Sequence, residues 1–97
     1  MVLREGKRIR LDAIELRVMP SLFPRSRVAV IVPKHRQTIV SRNRLKRRLR
    51  ELVRLDLLPS LRTQALDVVL RATPRAYEWS FDALRLDVRR AATRLAA

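Results

Sequence analysis

The chain contains one densely cationic segment, which reads Ser41-Arg42-Asn43-Arg44-Leu45-Lys46-Arg47-Arg48-Leu49-Arg50-Glu51. Six of the nine positions from Arg42 to Arg50 are lysine or arginine, and none is acidic. The apolar positions in and just after the segment are spaced i, i+4, i+7, i+8: Leu45, Leu49, Leu52 and Val53. This spacing is typical of one face of an α-helix. The segment is therefore predicted to form a helix with a buried apolar stripe and a cationic surface.

The charge of this helix has a single sign, which points to an anionic partner. Ion pairs between residues i and i+4 cannot form within the run, and neighbouring charges repel one another. A merely solvated helix face is the alternative, but it is typical of runs with mixed charge. The whole chain agrees with the first interpretation, because its formal net charge is +14 and eleven lysines or arginines but no acids lie between Glu15 and Glu51. Such a field attracts nucleic acid or an anionic membrane.

Composition excludes several classes of protein. The absence of cysteine rules out disulfides and thiolate metal sites, and it fits a reducing cytoplasm. No apolar run approaches the roughly 20 residues of a membrane span, so a membrane partner is not expected. A hydrophobic content of 47% is enough for a folded core, and the length favours one domain over residues 1–97. No protein partner is predicted.

Strand patterns occupy the first third of the chain. Residues 14–18 alternate between apolar and other side chains, which predicts a half-buried strand that ends at Pro20. The basic segment from Lys7 to Leu11 also alternates and is expected to pair with that strand. The stretch from Arg27 to Pro33 contains a continuous apolar run, which is typical of a strand covered on both faces.

The cationic helix is predicted to begin near Thr38 or Ser41 and to end at about Leu55. A loop over residues 57–65 and a strand over residues 66–70 follow, and Ser80 then caps a final helix. The apolar face of that helix is expected to comprise Phe81, Leu84, Val88, Ala91 and Leu95. The predicted fold class is α+β, a sandwich in which one four-stranded sheet carries a basic crossover helix and a C-terminal helix. Residues 28–70 are numerous enough for a crossover between parallel strands.

The cationic segment resembles the signature of the bacterial ribonuclease P protein component, in the pattern Arg42-Asn43-Arg44-x-Lys46-Arg47-x-x-Arg50-Glu51. The resemblance extends over nearly the whole chain, through Gly6-Lys7-Arg8, Arg27-Val28-Ala29-Val30-Ile31-Val32-Pro33-Lys34, Asp67-Val68-Val69 and Ser80-Phe81-x-x-Leu84. It departs from the family in two places. Most of the family's first helix is expected to be missing before Gly6, and Gln37 stands where the family has a glycine in the turn before the signature helix.

The resemblance implies an accessory subunit of a ribonucleoprotein enzyme. Its partners would be the ribonuclease P RNA and precursor tRNA, from which the RNA removes the 5′ leader. Magnesium ions would be held mainly by the RNA, with no catalytic residue, metal or other cofactor on the protein. The leader would lie in a cleft between the signature helix and the sheet. The RNA-binding residues implied are Lys34, Arg42, Asn43, Arg44, Lys46, Arg47 and Arg50.

The residue types suit that task. Arginine presents a planar fork that binds phosphate through paired hydrogen bonds, and lysine adds a point charge. Asn43 can contact a base edge or a 2′-hydroxyl, or can instead form a local backbone bond. Tyr77 and Trp79 can stack on bases or pack in the protein, whereas Phe81 fits the core. His35 is a lone histidine, for which a polar contact is expected.

The alternatives to this function come from other classes. A ribosomal or other structural RNA-binding protein would show the same cationic helix without a role in cleavage. A DNA-binding helix is a further alternative. A self-sufficient nuclease is the weakest, because the nine carboxylates are scattered and no paired acid cluster is available for two metal ions.

Overall fold

The computed structural model describes residues 7–62 and 64–96. Within these residues, four strands form one sheet: β1 (Lys7–Arg10), β2 (Ile14–Pro20), β3 (Arg27–Ile31) and β4 (Leu66–Ala72). Their order across the sheet is β1-β2-β4-β3. In the described part of the chain, two α-helices accompany the sheet, α1 (Ile39–Leu52) and α2 (Phe81–Ala96). The predicted fold class and the order strand, strand, strand, helix, strand, helix are confirmed.

Strand pairing explains the path of the chain. β1 and β2 form an antiparallel pair, in which Arg8 lies opposite Arg17. β2 also pairs with β4 in the antiparallel direction. β3 runs parallel to β4, with Arg27 opposite Asp67. The segment that contains α1 is therefore a crossover between parallel strands, as predicted.

Both helices bury their apolar stripes against the same face of the sheet. The sheet contributes alternate side chains, because successive residues of a strand point to opposite faces. These buried residues are Ile9, Leu16, Val18, Val68 and Leu70 from the sheet, Leu45, Leu49 and Leu52 from α1, and Leu84, Val88, Ala91 and Leu95 from α2. Phe81 is only half-buried and packs at the margin of this core. The predicted apolar stripe of α1 is confirmed.

The expectation that β3 is covered on both faces is wrong. β3 lies at an edge of the sheet, and its residues alternate between exposed and half-buried. Ile31 remains 47% exposed, because α1 and α2 both lie on the other face. A short apolar run cannot distinguish a central strand from an edge strand when the number of covering helices is unknown.

The predicted loop over residues 57–65 is wrong for its first half. α1 ends at Leu52 and continues into a π-helical turn, Val53–Leu57, and then a 3₁₀ turn, Leu58–Leu61. The backbone N–H of Leu58 donates to the carbonyl of Val53, which is the wide i to i+5 bond of a π turn. These turns leave Val53, Leu57 and Leu61 all buried. Burial of three apolar side chains outweighs the loop tendency of Pro59.

One buried carboxylate joins α2 to the turn between β1 and β2. Asp87 is 1% exposed, and its Oδ2 accepts a hydrogen bond of 2.9 Å from the backbone N–H of Ala13. Its Oδ1 lies 3.6 Å from the guanidinium of Arg90, one turn along the helix. The carboxylate therefore provides an acceptor for the buried N–H of Ala13, which has no partner in the strand pairing.

Candidate nucleic-acid interface

The cationic helix α1 has a fixed start and a fixed orientation. Of the two caps that the sequence left open, Thr38 is the one used, since the backbone N–H of Ser41 donates to Thr38 Oγ1 over 3.0 Å. The buried leucines then orient the helix, with Leu49 fully excluded from solvent. A helix anchored in this way presents its outer face at little further entropic cost.

Part of the predicted site comes together on the outer face of α1. Asn43, Arg44 and Arg47 are exposed and line a shallow groove together with Val40 and Arg48. The positions 40, 43, 44 and 47 are spaced i, i+3, i+4, i+7, so they share one helix face. Arg48 was not among the residues predicted to bind RNA, although it belongs to the same cationic run. We name this groove the outer groove.

The other predicted residues lie around the outer groove rather than in it. Arg50 is exposed in the last turn of α1, and Lys46 is half-buried on the flank of the helix. Arg42 is half-buried, and its Nε donates to the carbonyl of Val32 over 2.8 Å. Lys34 is exposed in the segment that leads to α1. Arg42 therefore commits one donor to the fold, while the rest of its guanidinium remains available.

The cations of α1 are not neutralised by the described part of the protein. None of the six lysines and arginines from Arg42 to Arg50 forms a salt bridge with a carboxylate of residues 7–62 or 64–96. The nearest acids along the chain have other partners, since Glu51 pairs with Arg54, and Asp56 pairs with Arg85 at 2.9 Å. The positive end of the helix dipole adds to this field, because the first turn contains no acidic residue. Such a surface suits the phosphate backbone of a nucleic acid.

A tight turn precedes α1. The backbone N–H of Gln37 donates to the carbonyl of Lys34 over 2.8 Å, and the two residues between them have positive φ, 43° at His35 and 62° at Arg36. Gln37, at the position of the family's glycine, is not one of the left-handed residues. Non-glycine residues in this region carry a strain of about 1–3 kcal/mol each. Packing around the turn must therefore compensate for that strain.

Tyr77 supplies part of this packing. Its hydroxyl donates to the carbonyl of Pro33 over 2.6 Å, and its ring meets the His35 ring edge to face at 6.3 Å. Burial raises the pKa of the Tyr77 phenol, and the nearby charge of Arg42 opposes that shift. Tyr77 thus fastens the 3₁₀ turn Pro74–Glu78 to the segment before α1. Trp79 is also half-buried against the core, so packing accounts for both residues that the sequence left undecided.

Two further properties concern the described residues. Within residues 7–62 and 64–96, no three histidine or carboxylate side chains come close enough together to bind a metal ion. None of the helices in this part of the chain combines the length and the apolar character needed to cross a bilayer.

Comparison with known proteins decides the family. The sequence model of the Ribonuclease P family matches residues 1–96. The chain belongs to the ribonuclease P protein family. It is 39% identical to the ribonuclease P protein component of Thermus oshimai over 89 residues, and 37% identical to that of Thermus aquaticus over 89 residues. These alignments cover 92% of this chain but 54% and 51% of the two relatives. The chain thus spans about half the length of the curated relatives it matches.

Solved structures of this family share the fold. The RNase P protein from Thermotoga maritima superposes with a TM-score of 0.79 at 21% sequence identity, over 94% of this chain and 84% of that one. The Staphylococcus aureus RNase P protein superposes with a TM-score of 0.67 at 18% identity, over 92% and 76% of the two chains. The predicted absence of most of the family's first helix concerns the chain at and before Gly6, which lies outside the described residues.

Proposed function

We propose that this chain is the protein subunit of a ribonuclease P ribonucleoprotein, and that α1 binds the ribonuclease P RNA. The observation that supports this most directly is the set of six cations on α1 that have no carboxylate partner in the described chain. Burial of the opposite face fixes their geometry before RNA arrives. Membership of the ribonuclease P protein family makes the ribonuclease P RNA the expected polyanion.

The outer groove suits a mixed contact with RNA. Arg44 and Arg47 are exposed and can each bind a phosphate through two parallel hydrogen bonds. Asn43 lies one turn before Arg47 on the same face, and its amide forms no hydrogen bond with another described residue. This favours the contact to a base edge or a 2′-hydroxyl over the local backbone bond. Lys34, Arg42, Lys46 and Arg50 would extend the phosphate contacts to either side.

We assign the 5′ leader of precursor tRNA to the helix-free face of the sheet. The expected cleft between α1 and the sheet is filled, because the leucines of α1 are buried in the core there. Three cations and one carboxylate line a shallow depression on the helix-free face, together with apolar side chains: Arg8, Arg17, Arg71, Glu15, Leu16, Ile31 and Val69. Strand pairing places Arg8 opposite Arg17 and Ile31 opposite Arg71. Cations interleaved with apolar surface suit single-stranded RNA, because the cations can contact its phosphates while the apolar surface contacts its unpaired bases.

The chemistry of cleavage is assigned to the RNA. No three histidine or carboxylate side chains cluster in the described residues, which supports placing the ions that activate water on the ribonuclease P RNA. The contribution of this chain is electrostatic. By neutralising phosphates where two RNA molecules meet, it lowers the repulsion that magnesium ions must otherwise screen.

Reconstituted cleavage tests this function. Precursor tRNA and a ribonuclease P RNA are incubated at low magnesium with and without the chain, and leader release is measured. We expect the chain to restore cleavage, and we expect the doubly substituted Arg44→Gln, Arg47→Gln variant to do so poorly, although both side chains are exposed and the fold should persist. RNA binding without any rescue would instead indicate a structural RNA-binding protein with no role in cleavage.

A further inference from the structure

An exposed aromatic ring lies in the loop between β2 and β3, residues 21–26. Phe23 is 51% exposed and its neighbour Leu22 is 96% exposed. The backbone N–H of Phe23 donates to the hydroxyl of Ser21 over 3.1 Å, which shapes the tip of the loop. The two adjacent side chains expose apolar surface on a strongly basic protein, and no apolar partner within the described chain covers the Phe23 ring.

One side of the ring is already occupied by a cation in a fixed orientation. The guanidinium carbon of Arg27 lies 4.6 Å from the centroid of the Phe23 ring. The same guanidinium donates to both carboxylate oxygens of Asp67, from Nε and Nη2, each over 3.1 Å. Arg27 lowers the pKa of Asp67, chiefly through this hydrogen bonding. Phe23, Arg27 and Asp67 form what we name the loop platform.

The loop is anchored at both ends. The backbone N–H of Ser21 donates to the carbonyl of Ala65 over 2.9 Å. The hydroxyl of Ser26 donates to the carbonyl of Gln64 over 2.8 Å and accepts from the backbone N–H of Leu66 over 3.0 Å. These bonds restrict the motion of the loop before any ligand arrives. A planar ligand that stacks on Phe23 would therefore lose less free energy to ordering of the loop.

The loop platform is separate from the turn that begins α1. Arg27 and Asp67 are opposite one another at the first residues of the parallel pair of β3 and β4, whereas Ile31 and Arg71 are opposite one another at the far end. The tight turn before α1 follows β3 at that far end. A ligand on the loop platform would therefore bind at the opposite end of the sheet from the start of α1.

We propose that the loop platform binds one unpaired nucleobase of an RNA partner, which stacks on the side of Phe23 away from Arg27. Arg25 is exposed in the same loop and forms no salt bridge with another described residue, so it can meet the phosphate next to that base. A phenyl ring has no hydrogen-bonding group, and the contact should tolerate any base. The charge of the loop favours RNA over an apolar protein segment. The inference requires that the chain binds RNA, but not that it serves in cleavage.

The matched variants are Phe23→Ala, Phe23→Trp and Leu22→Ala, and the probe is a labelled, unstructured oligouridylate. We expect Phe23→Ala to weaken binding roughly five- to 150-fold, the equivalent of one stacked base, without changing the slope of log K against log salt. Phe23→Trp should bind like the parent, and its fluorescence should be quenched by the oligonucleotide beyond the quenching of Trp79 in the parent. Leu22→Ala removes a more exposed apolar side chain from the same loop and should leave binding unchanged.

Other outcomes overturn the inference. Equal losses for Phe23→Ala and Leu22→Ala would indicate a general apolar contact, as with a protein partner, and no loss for Phe23→Ala would exclude stacking. A shallower salt slope would assign the effect to phosphates. Unchanged melting temperatures show that the exposed-loop variants are folded. Failure of this test leaves the cleavage assay of the proposed function unaffected, because that assay uses the parent chain.

Discussion

Replacement of Arg47 by glutamine tests whether RNA binds to the face of α1 that the fold leaves open. Arg47 is exposed in the outer groove and forms no salt bridge with another described residue. The substitution removes one charge and one bidentate fork without disturbing a buried contact. An arginine at the opposite edge of the sheet provides the control. Arg94, near the end of α2, is exposed and approaches the carbonyl of Arg10 on β1 at 3.4 Å.

The expected magnitude follows from the number of available cations. Five side chains of α1 have neither a carboxylate partner nor a hydrogen bond to the backbone within the described chain: Arg44, Lys46, Arg47, Arg48 and Arg50. If all five meet phosphates, log K against log salt should have a slope of about −3.5 to −4.5 for the parent chain. Arg47→Gln should make that slope shallower by about 0.7–0.9. The loss of one charge-assisted contact should cost about 1–3 kcal/mol of binding free energy.

The assay is the affinity for labelled ribonuclease P RNA, measured by anisotropy at salt concentrations from roughly 50 to 200 mM. Arg94→Gln changes the net charge equally and should leave the slope unchanged. Equal changes for the two variants would refute the reasoning, since binding would then depend on net charge rather than on α1. A parent slope near zero would refute a phosphate interface altogether.

The remaining predictions address the core, the buried groups and the chemistry. Leu49→Ala should lower the free energy of unfolding, measured by denaturant titration, by about 2–5 kcal/mol, because it leaves a cavity under α1. The folded variant should bind RNA with the same slope of log K against log salt as the parent. Asp87→Ala should cost about 1–3 kcal/mol of stability in the same measurement, since the buried N–H of Ala13 loses its acceptor. Ultraviolet titration of the single tyrosine should show a midpoint above the ordinary pKa of about 10, and Arg42→Gln should raise it further. Because folding raises the pKa of Tyr77, the phenol ionises at a lower pH in the unfolded chain than in the folded chain. The contribution of Tyr77 to the free energy of unfolding is therefore complete below about pH 10 and declines as the pH rises through the folded pKa. The purified chain without RNA should not cleave precursor tRNA, and leader release by RNA-free protein would contradict the assignment of catalysis to the RNA.

The sequence by itself determined those features of the helices that depend only on residues close together along the chain. The spacing of Leu45 and Leu49 places them on one helix face wherever the helix packs, because 3.6 residues complete each turn. Ser80 caps α2 as expected, with its Oγ accepting from the backbone N–H of Ala83 over 3.2 Å. The density of charge on α1 was likewise evident, since it requires only the identity of neighbouring side chains.

Only the tertiary structure decided which apolar side chains are exposed and which cations have partners within the described chain. The sheet order places β3 at an edge, so Ile31 is exposed although its run is apolar. The crossover brings Val32 to the first turn of α1, where its carbonyl accepts from Arg42 and sets that residue apart from Arg47. The loop platform depends on Arg27 and Asp67, which are forty positions apart in sequence and are brought together only by the parallel pairing. The periodicity of a sequence predicts contacts between residues that are close along the chain. The contacts of Arg42 and Arg27 depend instead on which strands become neighbours, and the order of the strands is determined by burial of the whole core.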